Sequence, residues 1–189
     1  MEKYRMKTVL ICGSRNHHGQ TAQACNALLD GLSKNNGFSV KQFFLPELKV
    51  ERCRQCEENG WGMCRKEGYC IIADDFNDLV ENIREANVVV FATPVYYSDL
   101  SESLRAFTDR LRRICTHNAG RLGVEEKNAI GICVAGGGGG GAPACCVSLE
   151  KVMNDCGFKV IDLIPVRRQN LQIKLETFET IGQLLGTEY

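Results

Sequence analysis

The chain predicts an α/β domain: a five-stranded, doubly wound parallel sheet with helices on both faces and strand order 2-1-3-4-5. Three observations lead there. Apolar runs of strand length alternate five times with segments of helical apolar spacing. The runs at 7–12, 88–92 and 128–135 are apolar nearly throughout, as strands buried on both faces must be. No repeat or linker interrupts the alternation, so residues 1–189 form a single domain with a cysteine-rich excursion at about 46–73.

Lys7 to Cys12 (KTVLIC) is the first strand. The loop GSRNHHGQT, Gly13 to Thr21, leads to a helix with Ala24, Cys25, Leu28, Leu29 and Leu32 on one side, stopped by Asn35-Asn36-Gly37. Phe38 to Leu45 alternates partly and is the second strand. Few periodic apolar residues follow until Asp74-Asp75, two carboxylates suited to the amino end of a helix whose Phe76, Leu79, Val80, Ile83 and Ala86 form a stripe. Val88 to Ala92 is the third strand, broken by Pro94, and a helix begins near Ser101 with Leu104, Phe107, Leu111 and Ile114 on one face. Asn128 to Ala135 is the fourth strand and enters six consecutive glycines. A helix to Cys156, a strand at Phe158 to Val166 and a helix at Leu171 to Leu185 complete the pattern.

Composition narrows the function. The 23 lysines and arginines equal the 23 aspartates and glutamates, which argues against a nucleic-acid or polyanion partner. No apolar run reaches membrane-spanning length, and MEKYRMKT lacks the core of a signal peptide, so the expectation is a soluble, cytoplasmic protein. Eleven cysteines without an export signal do not read as a disulfide framework. Cys12, Cys25, Cys115, Cys133 and Cys156 lie in apolar patterns and are expected to be buried, as are the adjacent Cys145 and Cys146, because neighbouring cysteines rarely bridge.

In strand order 2-1-3-4-5 the loops after strands one, three and four share one crevice at the switch point. The first offers Ser14, Asn16, His17, His18, Gln20 and Thr21 before a helix start, with Arg15 as its fixed cation, which suits a phosphomonoester. The second carries Pro94, Val95, Tyr96 and Tyr97, suited to a flat apolar ligand edge. The third, Gly136 to Gly141, lets bare backbone approach a planar ligand. A phosphate cradle, an aromatic turn and a bare loop together describe an FMN site. His17 and His18 read as loop or surface residues and not as a base, since no carboxylate lies near them in sequence.

These residues resemble the NAD(P)H-dependent FMN reductases and iron–sulfur flavoproteins of the flavodoxin-like superfamily. GSRNHHGQT keeps Gly13, Ser14, Gly19 and Thr21 of that family's G-S-P-R-x-x-G-N-T, with Arg15, Asn16 and Gln20 as departures. TPVYY matches its T-P-V-Y, SESLRAFTDR its L-K-x-F-x-D-R, AGGGGGGAP its third flavin loop, and the cysteine segment ending at Asp74-Asp75 its counterpart. The resemblance implies that Ser14, Gln20 and Thr21 hold the phosphate, assisted by Asn16 or His18. It implies that Pro94, Val95, Tyr96 and Tyr97 flank the isoalloxazine, and that Gly136, Gly137, Gly138 and Gly139 meet its pyrimidine side. No protein acid or base is expected to be indispensable, because the redox chemistry belongs to the cofactor. The resemblance also implies a homo-oligomer.

Cys53, Cys56, Cys64 and Cys70 form C-x2-C-x7-C-x5-C, with Glu57, Glu58 and Trp61 in the middle gap. Three readings stand: a 4Fe–4S cluster on four thiolates, a zinc site, or metal-free thiols. Arg105, Arg110, Arg112 and Arg113 read as a solvated helix face able to pair with Asp109. The function expected is an FMN-dependent oxidoreductase taking electrons from NAD(P)H and passing them to a small acceptor such as a quinone or oxygen. The alternatives are an iron–sulfur electron carrier served by a ferredoxin-like protein and a cysteine-based metal or redox-sensing module.

Overall fold

A computed structural model describes residues 6–34, 38–57 and 59–188. The five predicted strands are present as β1 (Met6–Cys12), β2 (Phe38–Phe44), β3 (Val88–Pro94), β4 (Asn128–Ala135) and β5 (Lys159–Arg167). They form one parallel sheet in the order β2-β1-β3-β4-β5, as expected. Pro94 does not break β3; it is its last residue, opposite Val134, and proline is tolerated there because a strand end can forgo the amide. The stop at Asn35-Asn36-Gly37 lies outside the described residues.

The helices are α1 (Gln20–Ser33), α2 (Met63–Lys66), α3 (Phe76–Glu85), α4 (Glu102–Ile114), α5 (Asn118–Arg121), α6 (Ala142–Cys156) and α7 (Leu171–Glu188). Strand alternation sends Leu10, Cys12, Val90, Ile130 and Ile132 to one face, where they meet Leu28 and Leu32 of α1 and Phe178 of α7. Val9, Ile11, Val89 and Phe91 go to the other, against Phe76 of α3, Phe107 of α4 and Leu149 of α6. Truncating one of these buried rings to alanine is expected to cost about 3–5 kcal/mol. Helices α1 and α7 touch through Gly31 and Gly182, each of which faces backbone of the other helix where a β-carbon would collide.

The excursion at 46–73 departs most from a plain doubly wound unit. It begins in a 3-10 turn at Leu45–Glu47, contains α2, and runs along the outer side of α4. That cover changes the meaning of two sequence features. Arg110 is 1% exposed, not solvated: its guanidinium makes paired hydrogen bonds to Asp74 at 2.6 and 2.9 Å, donates to the Glu51 carbonyl at 3.0 Å and to Cys70 Sγ at 3.3 Å, and lies 4.1 Å over the Phe76 ring. Asp74 and Asp75 serve the excursion more than the helix dipole. Asp75 accepts from the Lys49 amide, and Asp74 accepts from the amides of Glu51 and Phe76. Periodicity alone placed Arg110 on a polar stripe; the segment folded over that stripe makes it interior.

Among the described residues no helix is long and apolar enough to cross a membrane.

Candidate functional site

The carboxyl ends of β1, β3 and β4 bring the three predicted loops together. After β1, the chain turns on its own polar groups: Ser14 Oγ accepts from the Asn16 amide at 3.2 Å, and Asn16 Oδ1 accepts from the His18 amide at 2.9 Å. Asn16 therefore shapes the loop, and the His18 carbonyl is held by Gln23 Nε2 at 3.0 Å. Helix α1 then starts at Gly19 with no side-chain cap and no acidic residue in its first turn. Its first amides remain available to an anion, and Thr21 is buried beside them. Below the loop Cys12 and Cys25 are fully buried in contact; the hydrogen bond from Cys25 outweighs burial and holds the Cys12 thiol below its ordinary range.

His17 has the carboxylate partner that sequence proximity did not offer. Glu47, beyond β2, pairs with its Nε2, and the ring sits 3.9 Å from that of Phe44. Both side chains of the pair are solvent-accessible, so this contact joins the loop to the end of β2.

After β3, Tyr96 and Asp99 exchange two backbone hydrogen bonds of 3.0 Å across Tyr97 and Ser98. Those two residues have φ of 50° and 65°, the left-handed conformation of a two-residue hairpin turn normally given to glycine or asparagine. The strain is held by Asp99, which accepts from the Leu100 amide and pairs with Arg105. Burial pushes the Asp99 carboxyl up, but the Leu100 amide, Arg105 and Ser148 more than offset it, leaving it below the usual carboxylate range. The turn displays Tyr97 with its side chain entirely in solvent and Tyr96 44% exposed. Val95, by contrast, packs against the core, and its amide donates to the Val134 carbonyl.

The glycine loop fits between them. A β-carbon on Gly141 would lie 2.6 Å from Ser98 Oγ and 2.8 Å from Ser98 Cα, and one on Gly136 would lie 3.3 Å from Gln20 Oε1. Gly138 is tied by its carbonyl to Gln169 Nε2 at 3.1 Å. A β-carbon on Gly137, Gly138 or Gly140 would meet nothing within 4 Å, so these three lie along open space, whereas one on Gly139 would collide with Gln169 Oε1. Helix α6 begins at Gly141, again without a side-chain cap. Between the first two loops a cavity of about 350 Å³ is lined by Gly13, Arg15, Pro46, Tyr96, Glu102 and Ser103.

The donor set fits a flavin mononucleotide. Uncapped amides at the α1 start, with Ser14, Gln20 and Thr21, suit a phosphate; Gln20 Oε1 is buried without a hydrogen-bond partner, as a group awaiting a ligand would be. Bare glycine backbone on one loop and exposed aromatics on the neighbouring one suit a flat ring. Pro46, Glu102, Ser103 and Gln169 escaped sequence reasoning because they come from other strand ends and helix starts, where no local pattern marks them.

For the cysteine segment the sequence left a cluster, a zinc site and metal-free thiols open. Among the described residues no three cysteine, histidine or acidic side chains are gathered to hold a metal, so Cys53, Cys56, Cys64 and Cys70 are not brought together as ligands. Cys70 accepts from Arg110, Cys64 and Cys70 pack against the core, and Cys53 Sγ accepts from the Gln55 amide. The middle gap has contacts of its own: Glu57 pairs with Lys66, and Arg113 donates to the Gly60 carbonyl. Glu58 lies outside the described residues. The seven other cysteines are buried, as expected.

Comparison with known proteins agrees with this geometry. An iron–sulfur flavoprotein of Archaeoglobus fulgidus is 32% identical over 106 residues, covering 56% of this chain and 46% of that protein. One from Methanocaldococcus jannaschii is 28% identical over 130 residues, covering 69% and 61%. The chain thus spans about half the length of the curated relatives it matches. Among solved structures, an NAD(P)H:quinone oxidoreductase from Methanothermobacter marburgensis superposes with a TM-score of 0.70 at 20% identity over 98% of both chains. An azoreductase from Bacillus anthracis gives 0.68 at 12% identity, covering 97% of this chain and all of that one. These two establish likeness of fold. The family described as NADPH-dependent FMN reductase matches residues 6–166, from the first strand into the fifth and through all three loops, and the chain belongs to that family.

Proposed function

We propose that this protein is an FMN-dependent oxidoreductase that takes electrons from NAD(P)H and delivers them to a small acceptor such as a quinone. The observation that carries the reading is the convergence of three chemically distinct loops, with Gly136 against Gln20 and Gly141 against Ser98. Ser14, Gln20 and Thr21, with the first amides of α1, would hold the phosphate, and Arg15 and His18 stand exposed at the rim. Asn16 acts on the phosphate through the shape it gives the loop. Tyr96 and Tyr97 would flank the isoalloxazine, Pro94 and Val95 anchor that turn to the sheet, and Gly136 to Gly139 face the pyrimidine side.

Bound there, the flavin supplies the hydride and electron chemistry. The chain's own work is to orient it. A strained turn presents the tyrosines without further reorganisation, and glycine backbone approaches the ring with no side chain between. No histidine or carboxylate is needed as a proton donor in this reading. An oligomer that covers Tyr97 and a cytoplasmic location belong to the same proposal.

Titration of flavin-free protein with FMN, followed by anaerobic mixing with NADPH or NADH, tests it. Stoichiometric binding and prompt bleaching of the band near about 450 nm are expected. Binding without bleaching by either nucleotide would favour a carrier fed by a ferredoxin-like protein, and no binding would remove the flavin reading altogether.

A further inference from the structure

One residue of the glycine loop differs from its neighbours. Gly137, Gly138 and Gly140 are exposed, whereas Gly139 is buried and has a left-handed φ of 77°. What covers it is the side-chain amide of Gln169: a β-carbon on Gly139 would lie 3.0 Å from both Cδ and Nε2 of that residue. The same amide donates from Nε2 to the Gly138 carbonyl at 3.1 Å. One glutamine therefore grips a single peptide unit, the one that joins Gly138 to Gly139.

Gln169 comes from outside the three loops. It sits in the 3-10 turn Arg168–Asn170 between β5 and α7, beyond residue 166, where the match to the reductase family ends. The turn is itself braced, since the Arg167 amide donates to Asn170 Oδ1 at 2.8 Å and α7 begins at Leu171.

In a trans peptide the C=O and the N–H point in opposite directions, and there is no cis peptide among the described residues. The Gly138 carbonyl is turned toward Gln169, which follows β5 on one side of β4. The Gly139 N–H is therefore turned away from β5, toward the side of β3 and the tyrosine turn. That N–H makes no hydrogen bond among the described residues, although Gly139 is buried. Buried backbone donors are nearly always paired, so this one calls for an acceptor on a ligand. With glycine on both sides, the peptide would turn over freely without its tether.

We propose that Gln169 is a positioning residue for the flavin: by holding the Gly138 carbonyl it aims the Gly139 amide at a carbonyl oxygen on the pyrimidine side of FMN, and so favours the reduced cofactor. The inference rests on the flavin reading above and adds to it a residue that touches the loop and not the cofactor. Reduction gathers negative charge on the pyrimidine, and a hydrogen bond to a charged acceptor is about twice as strong as one to a neutral acceptor. The amide thus contributes more to binding the reduced flavin than the oxidised one, which raises the midpoint potential.

Gln169→Met keeps the length of the side chain and removes its N–H donor. The position is exposed, so the thermal midpoint of the flavin-free protein should not move. Wild type and variant are titrated with oxidised and reduced FMN, and infrared spectra are taken with FMN carrying carbon-13 at its pyrimidine carbonyls. The variant should lose on the order of tenfold more affinity for reduced than for oxidised FMN, which lowers the midpoint potential by about 30 mV. One pyrimidine carbonyl band should move to higher frequency as its hydrogen bond is lost. Gln169→Ala should do the same, which separates lost donation from any new contact of the methionine. Equal losses for both flavin forms with unchanged carbonyl bands would mean that Gln169 only stiffens the loop, and would overturn the proposal while leaving the flavin reading standing. Wild-type protein that ignores FMN would remove both.

Discussion

Gly141 lies so close to Ser98 that a β-carbon there would sit 2.8 Å from Ser98 Cα, and its φ of 82° is one that other residues resist. The glycine loop and the tyrosine turn are therefore fitted to each other by backbone contact, before any ligand is considered.

That contact separates two kinds of glycine in one run of six. Gly141→Ala should destabilise the fold by about 1–3 kcal/mol, from strain and overpacking together. Gly138→Ala should change stability by less than about 0.5 kcal/mol, since its β-carbon meets nothing, yet weaken FMN binding at least about tenfold. Urea unfolding and FMN titration of both variants check this contrast.

Tyr97 combines a fully exposed side chain with a left-handed backbone. Tyr97→Gly removes no buried surface and relieves the backbone, so stability should rise by up to about 1 kcal/mol. Flavin affinity should fall by about 10-fold, because an aromatic contact is worth about 0.5–1.5 kcal/mol beyond its area. A variant losing stability and keeping affinity would place Tyr97 outside the flavin site.

The buried Asp74–Arg110 pair ties the excursion to α3 and α4. Burial pushes the Asp74 carboxyl up, but Arg110 and the amides of Glu51 and Phe76 more than offset this and hold it below the usual carboxylate range. The unfolded chain therefore takes up this proton at higher pH than the folded one. The stability it contributes is complete above about pH 4 and is lost as pH falls through the folded value. Asp74→Asn should cost about 3–5 kcal/mol at neutral pH by leaving Arg110 unpaired, and should flatten the acid limb of stability. Thermal melts of both proteins between about pH 2 and 7 measure the two effects.

The cysteine segment makes its own prediction. With Cys70 held by Arg110 and no three ligand side chains gathered among the described residues, protein purified without oxygen should carry flavin and well under one iron per chain. Four irons and four sulfides would mean that the excursion refolds around a cluster. An absorbance spectrum with iron and sulfide assays decides it.

The sheet, its strand order and the three loops were legible in the sequence because each is written locally. Runs such as VVVFATP and NAIGICVA declare buried strands, and a ligand crevice follows from their order. Local patterns misled where a distant segment supplied the neighbour. Arg110 looked solvated until residues 46–73 covered α4, and His17 looked unpartnered until β2 delivered Glu47.

Apolar periodicity by itself determined the fold class, the placement of the glycine and tyrosine loops at one edge, and the burial of five of the cysteines, because burial of apolar groups dominates folding and repeats with the period of each element. Only the tertiary structure decided which polar groups are inside, which thiols touch, and which glycine backs onto a neighbour and which onto open space. Those outcomes depend on which remote segment covers a given face, and no spacing within one element encodes that.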